Sequence, residues 1–133
     1  MILHSITELS LMGIFDRGIP NSERIAFQAT ERISLGHFGI LLGIKGVPGA
    51  AFPIRDNFFW FQDGILNPHD WVLVYTCNGK PTGSVIPNTE THLYTVFWGR
   101  PGVILANPNI VPILFRMDAV AVGEQPLMLP NSG

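Results

Sequence analysis

Four histidines, one cysteine and ten carboxylates are the side chains of this sequence with ready means for acid–base, nucleophilic or metal chemistry. The histidines are His4, His37, His69 and His92, and no two stand at zinc-ligand spacing. Cys77 is alone, so no CxxC exists and no metal ligand is assigned. His69-Asp70 is an adjacent acid–base pair. Neighbours on a strand point to opposite faces, so the two meet only where a turn bends them together. After Asn67-Pro68 they read as turn residues that satisfy loop backbone. Serine, histidine and acid are all present, but no GxSxG elbow brings them together. No GxGxxG or GxxxxGK[ST] loop occurs, and the glycine-rich stretch Gly43–Gly49 lacks the helix N-terminus that phosphate binding uses. Trp98-Gly99-Arg100 puts a ring and a cation at one strand end, either a recognition spot or a turn with a solvated arginine. No catalytic residue and no cofactor is assigned.

The elements that would position these groups are short. Fourteen glycines and eleven prolines punctuate the chain and leave little room for long helices. Between them lie runs rich in Val, Ile, Phe, Trp and Tyr, the pattern of all-β sandwiches and barrels. Strands are predicted at Ser5–Ile14, Phe38–Ile44, Phe58–Phe61, Trp71–Thr76, His92–Trp98, Val103–Ala106, Ile110–Met117 and Ala119–Val122. Arg24–Thr30 fits a strand by alternation, and a helix capped by Asn21 or Ser22 competes with it. Lys45–Pro53 reads as a loop and Asn78–Gly83 as a turn. Pro112 cannot donate to a ladder, so its strand starts there or lies at an edge. Gly39 and Gly43 fall on one face of their strand, which suggests a backbone or bulky ring packed close against them. The polar hinge Asn67–Asp70 joins Phe58–Phe61 to Trp71–Thr76 as a hairpin or as a crossover between sheets.

The chain of 133 residues is expected to form one domain. That domain is an all-β sandwich over residues 1–122, of seven to nine strands, followed by an extended tail at 123–133. Eight basic and ten acidic side chains give a net charge of −2. Average composition would supply roughly 33 charges, so ionic groups are scarce. No basic field exists to attract nucleic acid or an acidic membrane. No apolar run approaches the ~20 residues of a membrane-spanning helix. The first residues lack a basic segment and carry Glu8 in their apolar stretch, so no signal peptide is expected. A lone cysteine makes no internal disulfide, which suits a reducing, cytoplasmic setting or indifference to redox. Cys77 itself reads as a semi-buried apolar residue.

A sandwich strand normally sends alternate residues to the core and to water. In Trp71–Thr76, neither Trp71, Leu73 and Tyr75 nor Val72, Val74 and Thr76 form a polar face. His92–Trp98 behaves alike, with Leu93, Thr95 and Phe97 against Tyr94, Val96 and Trp98. Too few charges remain to wet every outer face, so some apolar face is covered by a loop, by the tail or by another chain.

The order of motifs resembles the lamin-tail domain, an immunoglobulin-like β-sandwich. Ile6–Leu9 is similar to its opening strand, and Asn21–Phe27 to its E-[YFW]-[IV]-E-[LI] strand. Ser34–Ile40 resembles its DLSGW-x-L strand, with His37-Phe38 where that family has Gly-Trp. Phe59–Gly64 with Leu66–Val74 resembles its F-x-F-P-x-G and L-x-P-G-x-x-V-V segments, with His69 at the glycine after proline. Asp118–Val120 is similar to its late VD-x-V. The resemblance implies an immunoglobulin-like fold and a binding or architectural role, with no catalytic residues.

The sequence therefore favours a non-enzymatic structural or interaction module. It would self-associate, as a homo-oligomer or in a larger protein assembly, through an apolar sheet face containing Trp71, Tyr75, Tyr94 or Trp98. The alternative is a small β-barrel enzyme or ligand-binding protein whose aromatic-lined pocket has His69, Asp63 or His92 at its mouth.

Overall fold

The computed structural model describes residues 5–48 and 50–123. The expectations for His4 and for the tail beyond Gly123 lie outside the described residues. Ten strands follow in order: β1 (Leu9–Phe15), β2 (Arg24–Ala29), β3 (Ile33–Ser34), β4 (Phe38–Lys45), β5 (Ala51–Trp60), β6 (Ile65–Leu66), β7 (Trp71–Tyr75), β8 (Thr82–Val85), β9 (His92–Phe97) and β10 (Ile110–Arg116). A 3₁₀ turn at Leu35–His37 leads into β4. The fold is all-β, a sandwich of a five-stranded sheet, β1-β2-β7-β9-β8, and a three-stranded sheet, β10-β4-β5. β3 and β6 form a separate two-stranded ribbon.

Alternation builds the core. Ile25 and Phe27 of β2 and Val72 and Val74 of β7 are fully buried, and they meet Phe38, Ile40 and Leu42 of β4 in one cluster. The inward rings lock edge to face, Phe27 on Phe61 and Phe61 on Phe59, each at 5.5 Å between centroids. This alternation also decides Arg24–Thr30. It is a strand, laddered to β1 on one side and β7 on the other.

The polar hinge is a crossover, carrying the chain from β5 in the small sheet to β7 in the large one. His69 donates its N–H to Ala29 O at 2.8 Å, and Asp70 N–H closes the turn onto Asn67 O at 3.0 Å. β9 lies parallel to β7, and β8 pairs antiparallel with β9 on its far side. After β7 the chain therefore forms the sheet edge first and returns to fill the gap.

Several boundaries differ from expectation. The first strand begins at Leu9, not Ser5. The loop expected at Lys45–Pro53 is shorter, because Lys45 ends β4 and β5 starts at Ala51 and pairs back along β4. Pro53 is tolerated there because β5 is an edge strand, where a missing N–H breaks no ladder. Between Phe58 and Pro53 the strand advances five positions while β4 advances two, so residues 54–57 bulge outward, with Asp56 at φ 64°. The turn at Asn78–Gly83 ends inside β8, a strand created by its pairing with β9. Val103–Ala106 and Ala119–Val122 join no ladder. The ten strands exceed the expected seven to nine through the two-residue β3 and β6 and through β8. Pro112 lies on β10, an edge strand as anticipated.

Candidate interaction surface

The four nominated aromatics do not form one surface. Parallel pairing sets Trp71 beside Leu93 and Tyr75 beside Phe97, but sets Val72 beside Tyr94 and Val74 beside Val96. Side chains paired across a ladder share a face. Val72 and Val74 are core residues, so Tyr94 and Val96 face inward and pack against the core, as does Trp98. The Trp98 ring lies 5.4 Å from that of Phe59. Trp71 and Tyr75 face outward. The sequence separated the faces of each strand correctly, but it did not supply the register between the two strands.

The outer face of the five-stranded sheet is less apolar than β7 and β9 alone implied. Register places Arg24 beside Tyr75 and Gln28 beside Trp71. The Arg24 guanidinium sits 5.5 Å from the Phe15 ring centre and 5.6 Å from that of Tyr75, and pairs with Asp16 at 2.8 Å. Tyr75 stacks on Phe97 at 5.5 Å. The chain at Gly79 runs against Phe97 so closely that a Cβ there would lie 2.5 Å from the ring. This face carries its own cation, its own amide and a covering loop.

The outer face of the three-stranded sheet has a single cation along β4, Lys45, exposed at the strand's end beside Ala51. Leu41 stands beside Phe58 and Ile113, Gly39 beside Trp60 and Phe115, and Gly43 beside Pro53 and Val111. No charged side chain interrupts these positions. Both glycines are needed. A Cβ on Gly39 would lie 2.6 Å from the Phe115 ring, and one on Gly43 2.7 Å from Ile113 Cδ1. The close packing anticipated for these glycines is thus supplied by β10 side chains. Phe58 stacks on Phe115 at 5.6 Å yet remains 50% exposed, and Trp60 is 41% exposed. At the β4–β5 tip Ile44, Val47 and Phe52 are exposed too, but Ile44 and Phe52 pair on the side of Ile40 and Leu42, opposite this patch.

The polar residues mostly fasten the fold. Glu23, 1% exposed, accepts the N–H groups of Gly18, Ile104 and Leu105 and the Thr76 hydroxyl. Arg17 donates to the carbonyls of Leu105, Asn107 and Ile110 at 3.0–3.3 Å. The β1–β2 turn thereby grips the segment that carries the chain from β9 to β10. Asp70 is also 1% exposed, and it accepts Asn67 N–H and His92 N–H, each at 2.9 Å. His92 Nδ1 stands 3.8 Å from the same carboxylate. Asp70 thus meets His92, not its neighbour His69, which is exposed with φ 75°. Sequence reasoning expected Asp70 to satisfy turn backbone, as its bond from Asn67 N–H does, but foresaw neither its burial against His92 nor any role for Glu23. Their only available signal was a carboxylate bordering an apolar strand.

Glu8 pairs with Arg116, tying the start of β1 to the end of β10. Partial burial pushes the Glu8 carboxyl up, but its own backbone N–H, the Arg116 guanidinium and the Thr7 N–H outweigh this and hold it below the usual carboxylate range. Trp98 and Arg100 do not combine into a recognition spot, because the ring turns inward while the guanidinium reaches Asp56 O at 3.3 Å. Cys77 is half-buried. Among the described residues no three His, Cys, Asp or Glu side chains gather as metal ligands, and no helix is long and apolar enough to cross a membrane. A cavity between the sheets brings Asp63 and Tyr94 together, but His69, His92, Trp71 and Tyr75 do not line it.

Compared with family models and with curated proteins, the chain matches none.

Proposed function

We propose that the chain is a non-enzymatic interaction module that self-associates through the outer face of its three-stranded sheet. The observation that carries this reading is the uncharged patch of Leu41, Phe58, Trp60, Val111, Ile113 and Phe115, with two of its rings at least 41% exposed. A second copy is the natural occupant. A twofold contact sets the same patch against itself, and the one charge along β4, Lys45, stands at the end of the strand, away from the centre of the patch. Three strands at ~4.8 Å spacing and eight residues at ~3.3 Å rise give a footprint of a few hundred Å². That is the scale of patches that mark association sites. Doubled for two copies it still lies below the ~1,200 Å² of stable complexes, so the dimer is expected to be weak and reversible, with a Kd in the upper micromolar range. The lamin-tail-like order of motifs supports an architectural role. His69 holds the left-handed backbone that a glycine at that position of the family pattern would adopt without strain.

Sedimentation equilibrium over a wide concentration range tests the proposal. Wild type should pass from monomer to dimer, and Phe58→Glu should stay monomeric with an unchanged melting temperature. Wild type that remains monomeric far above micromolar concentration refutes the reading. So does a Phe58→Glu variant that still dimerises.

A further inference from the structure

We propose that the cavity beside β8 binds an apolar, ring-bearing amine. The cavity holds about 310 Å³ and lies between the inner sides of β8 and β9 and the 61–66 segment. Its cause is local. Gly83 is paired with Tyr94, so it shares the inward face but offers no side chain to fill the gap. The Tyr94 ring leans across it, 3.2 Å from where a Cβ would stand. Leu35, Phe61, Leu66 and Val96 supply apolar wall. The volume is at the small end of ligand sites, enough for one aromatic ring with a short chain and too little for a nucleotide.

The charge at the mouth selects the second half of the ligand. Asp63 is the single ionic side chain in the lining. It is exposed, and among the described residues no Lys, Arg or His forms an ion pair with it. Gly36 makes room for it, since a Cβ there would lie 2.6 Å from Asp63 Oδ1. A ring in the cavity can therefore carry a short arm ending in an ammonium group beside this carboxylate. An anion of the same shape would meet repulsion.

Titration of the full chain with phenethylamine and with hydrocinnamate, followed by amide NMR shifts, separates charge from shape. Phenethylamine should shift the amides of Asp63–Leu66, Thr82, Gly83 and Tyr94–Val96. It should bind roughly fivefold more tightly than hydrocinnamate, the scale of one exposed ion pair. Asp63→Asn, at an exposed position, should erase that preference and leave weak ring binding. Gly83→Val should fill the cavity and abolish both. No binding of the amine at millimolar concentration overturns the proposal. Equal binding of hydrocinnamate, a preference that survives Asp63→Asn, or shifts confined to other residues does so too. Phenethylamine binding that is lost on dilution with the dimer would place the amine at the subunit contact and also refute this site.

Discussion

Glu23→Gln changes one atom type at a side chain that accepts four hydrogen bonds, and its cost can be worked from geometry. Oε1 accepts Gly18 N–H at 3.0 Å and Leu105 N–H at 3.2 Å. Oε2 accepts the Thr76 hydroxyl at 2.6 Å and Ile104 N–H at 2.7 Å. A carboxamide keeps one oxygen. If its NH₂ replaced Oε1, two backbone donors would face a donor. If it replaces Oε2, Thr76 can rotate and accept, and Ile104 N–H alone is orphaned. The second arrangement is therefore expected. A buried unsatisfied donor costs ~1–3 kcal/mol and the remaining bonds lose their charge assistance, so the total should be roughly 2–4 kcal/mol. Against a domain stability of about 5–15 kcal/mol this still leaves a folded protein. Glu23→Ala would orphan all three N–H groups and is the poorer probe.

Urea unfolding measures the effect. With m of about 2 kcal/mol/M, the midpoint should fall by about 1–2 M while m stays constant. Hydrogen exchange reads the orientation, because Ile104 N–H should lose protection while Gly18 and Leu105 keep most of theirs. A midpoint within about 0.25 M of wild type would refute the idea that this carboxylate fastens the turn to the 103–105 segment. Loss of protection at Gly18 and Leu105, with Ile104 unchanged, would refute the assigned orientation.

Gly39→Ala should destabilise by ~1–3 kcal/mol, because its Cβ meets a movable ring at 2.6 Å but also the fixed Phe59 carbonyl at 2.9 Å. An unchanged melting temperature would contradict that packing. Trp98→Asp should lower stability by about 3 kcal/mol or more, since it removes an inward ring and puts a charge against Phe59. A variant that folds as wild type and loses only assembly would return Trp98 to the surface. The Glu8–Arg116 tie should make stability acid-sensitive. The folded-state pKa of Glu8 is depressed, so its contribution is full above the ordinary value of 4.5 and is lost as pH falls through the lower folded value. Stability should thus drop less steeply below pH 4.5 in Arg116→Gln than in wild type, and parallel curves would show that the pair contributes nothing.

How much of this was legible in the sequence follows from what each feature depends on. Period-two runs such as Phe38, Ile40 and Leu42 needed no partner to be read, and they became the core. β8 was hidden because Thr82, Gly83 and Ser84 have turn chemistry, and only pairing with β9 makes them a strand. Phe58–Phe61 was read as a strand, but the first part of β5 was hidden because Pro53 signals a break until its edge position is known. Tyr94 and Trp98 were placed outside because both faces of β9 are apolar, and the parallel register that chooses between them is a tertiary fact.

The shortage of charge has the largest consequence. Two of the ten carboxylates, Glu23 and Asp70, are buried as backbone acceptors and contribute nothing to wetting the surface. Arg17 is likewise turned onto three carbonyls. The ionic groups left for the exterior are fewer than composition suggested, and their placement is uneven. Arg24 and Gln28 reach the outer face of the large sheet through β2. In the small sheet β4 has charge only at its end, since it presents Gly39, Leu41 and Gly43 outward before Lys45, and its neighbours add Ala51, Pro53, Phe58, Trp60, Val111, Ile113 and Phe115 to them. Glycine there lets the rings lie flat, which makes a smooth apolar floor instead of a set of isolated projections. An apolar floor on the thinner sheet, with Lys45 at its rim, is where the proposed second copy would remove apolar surface at little loss of hydration.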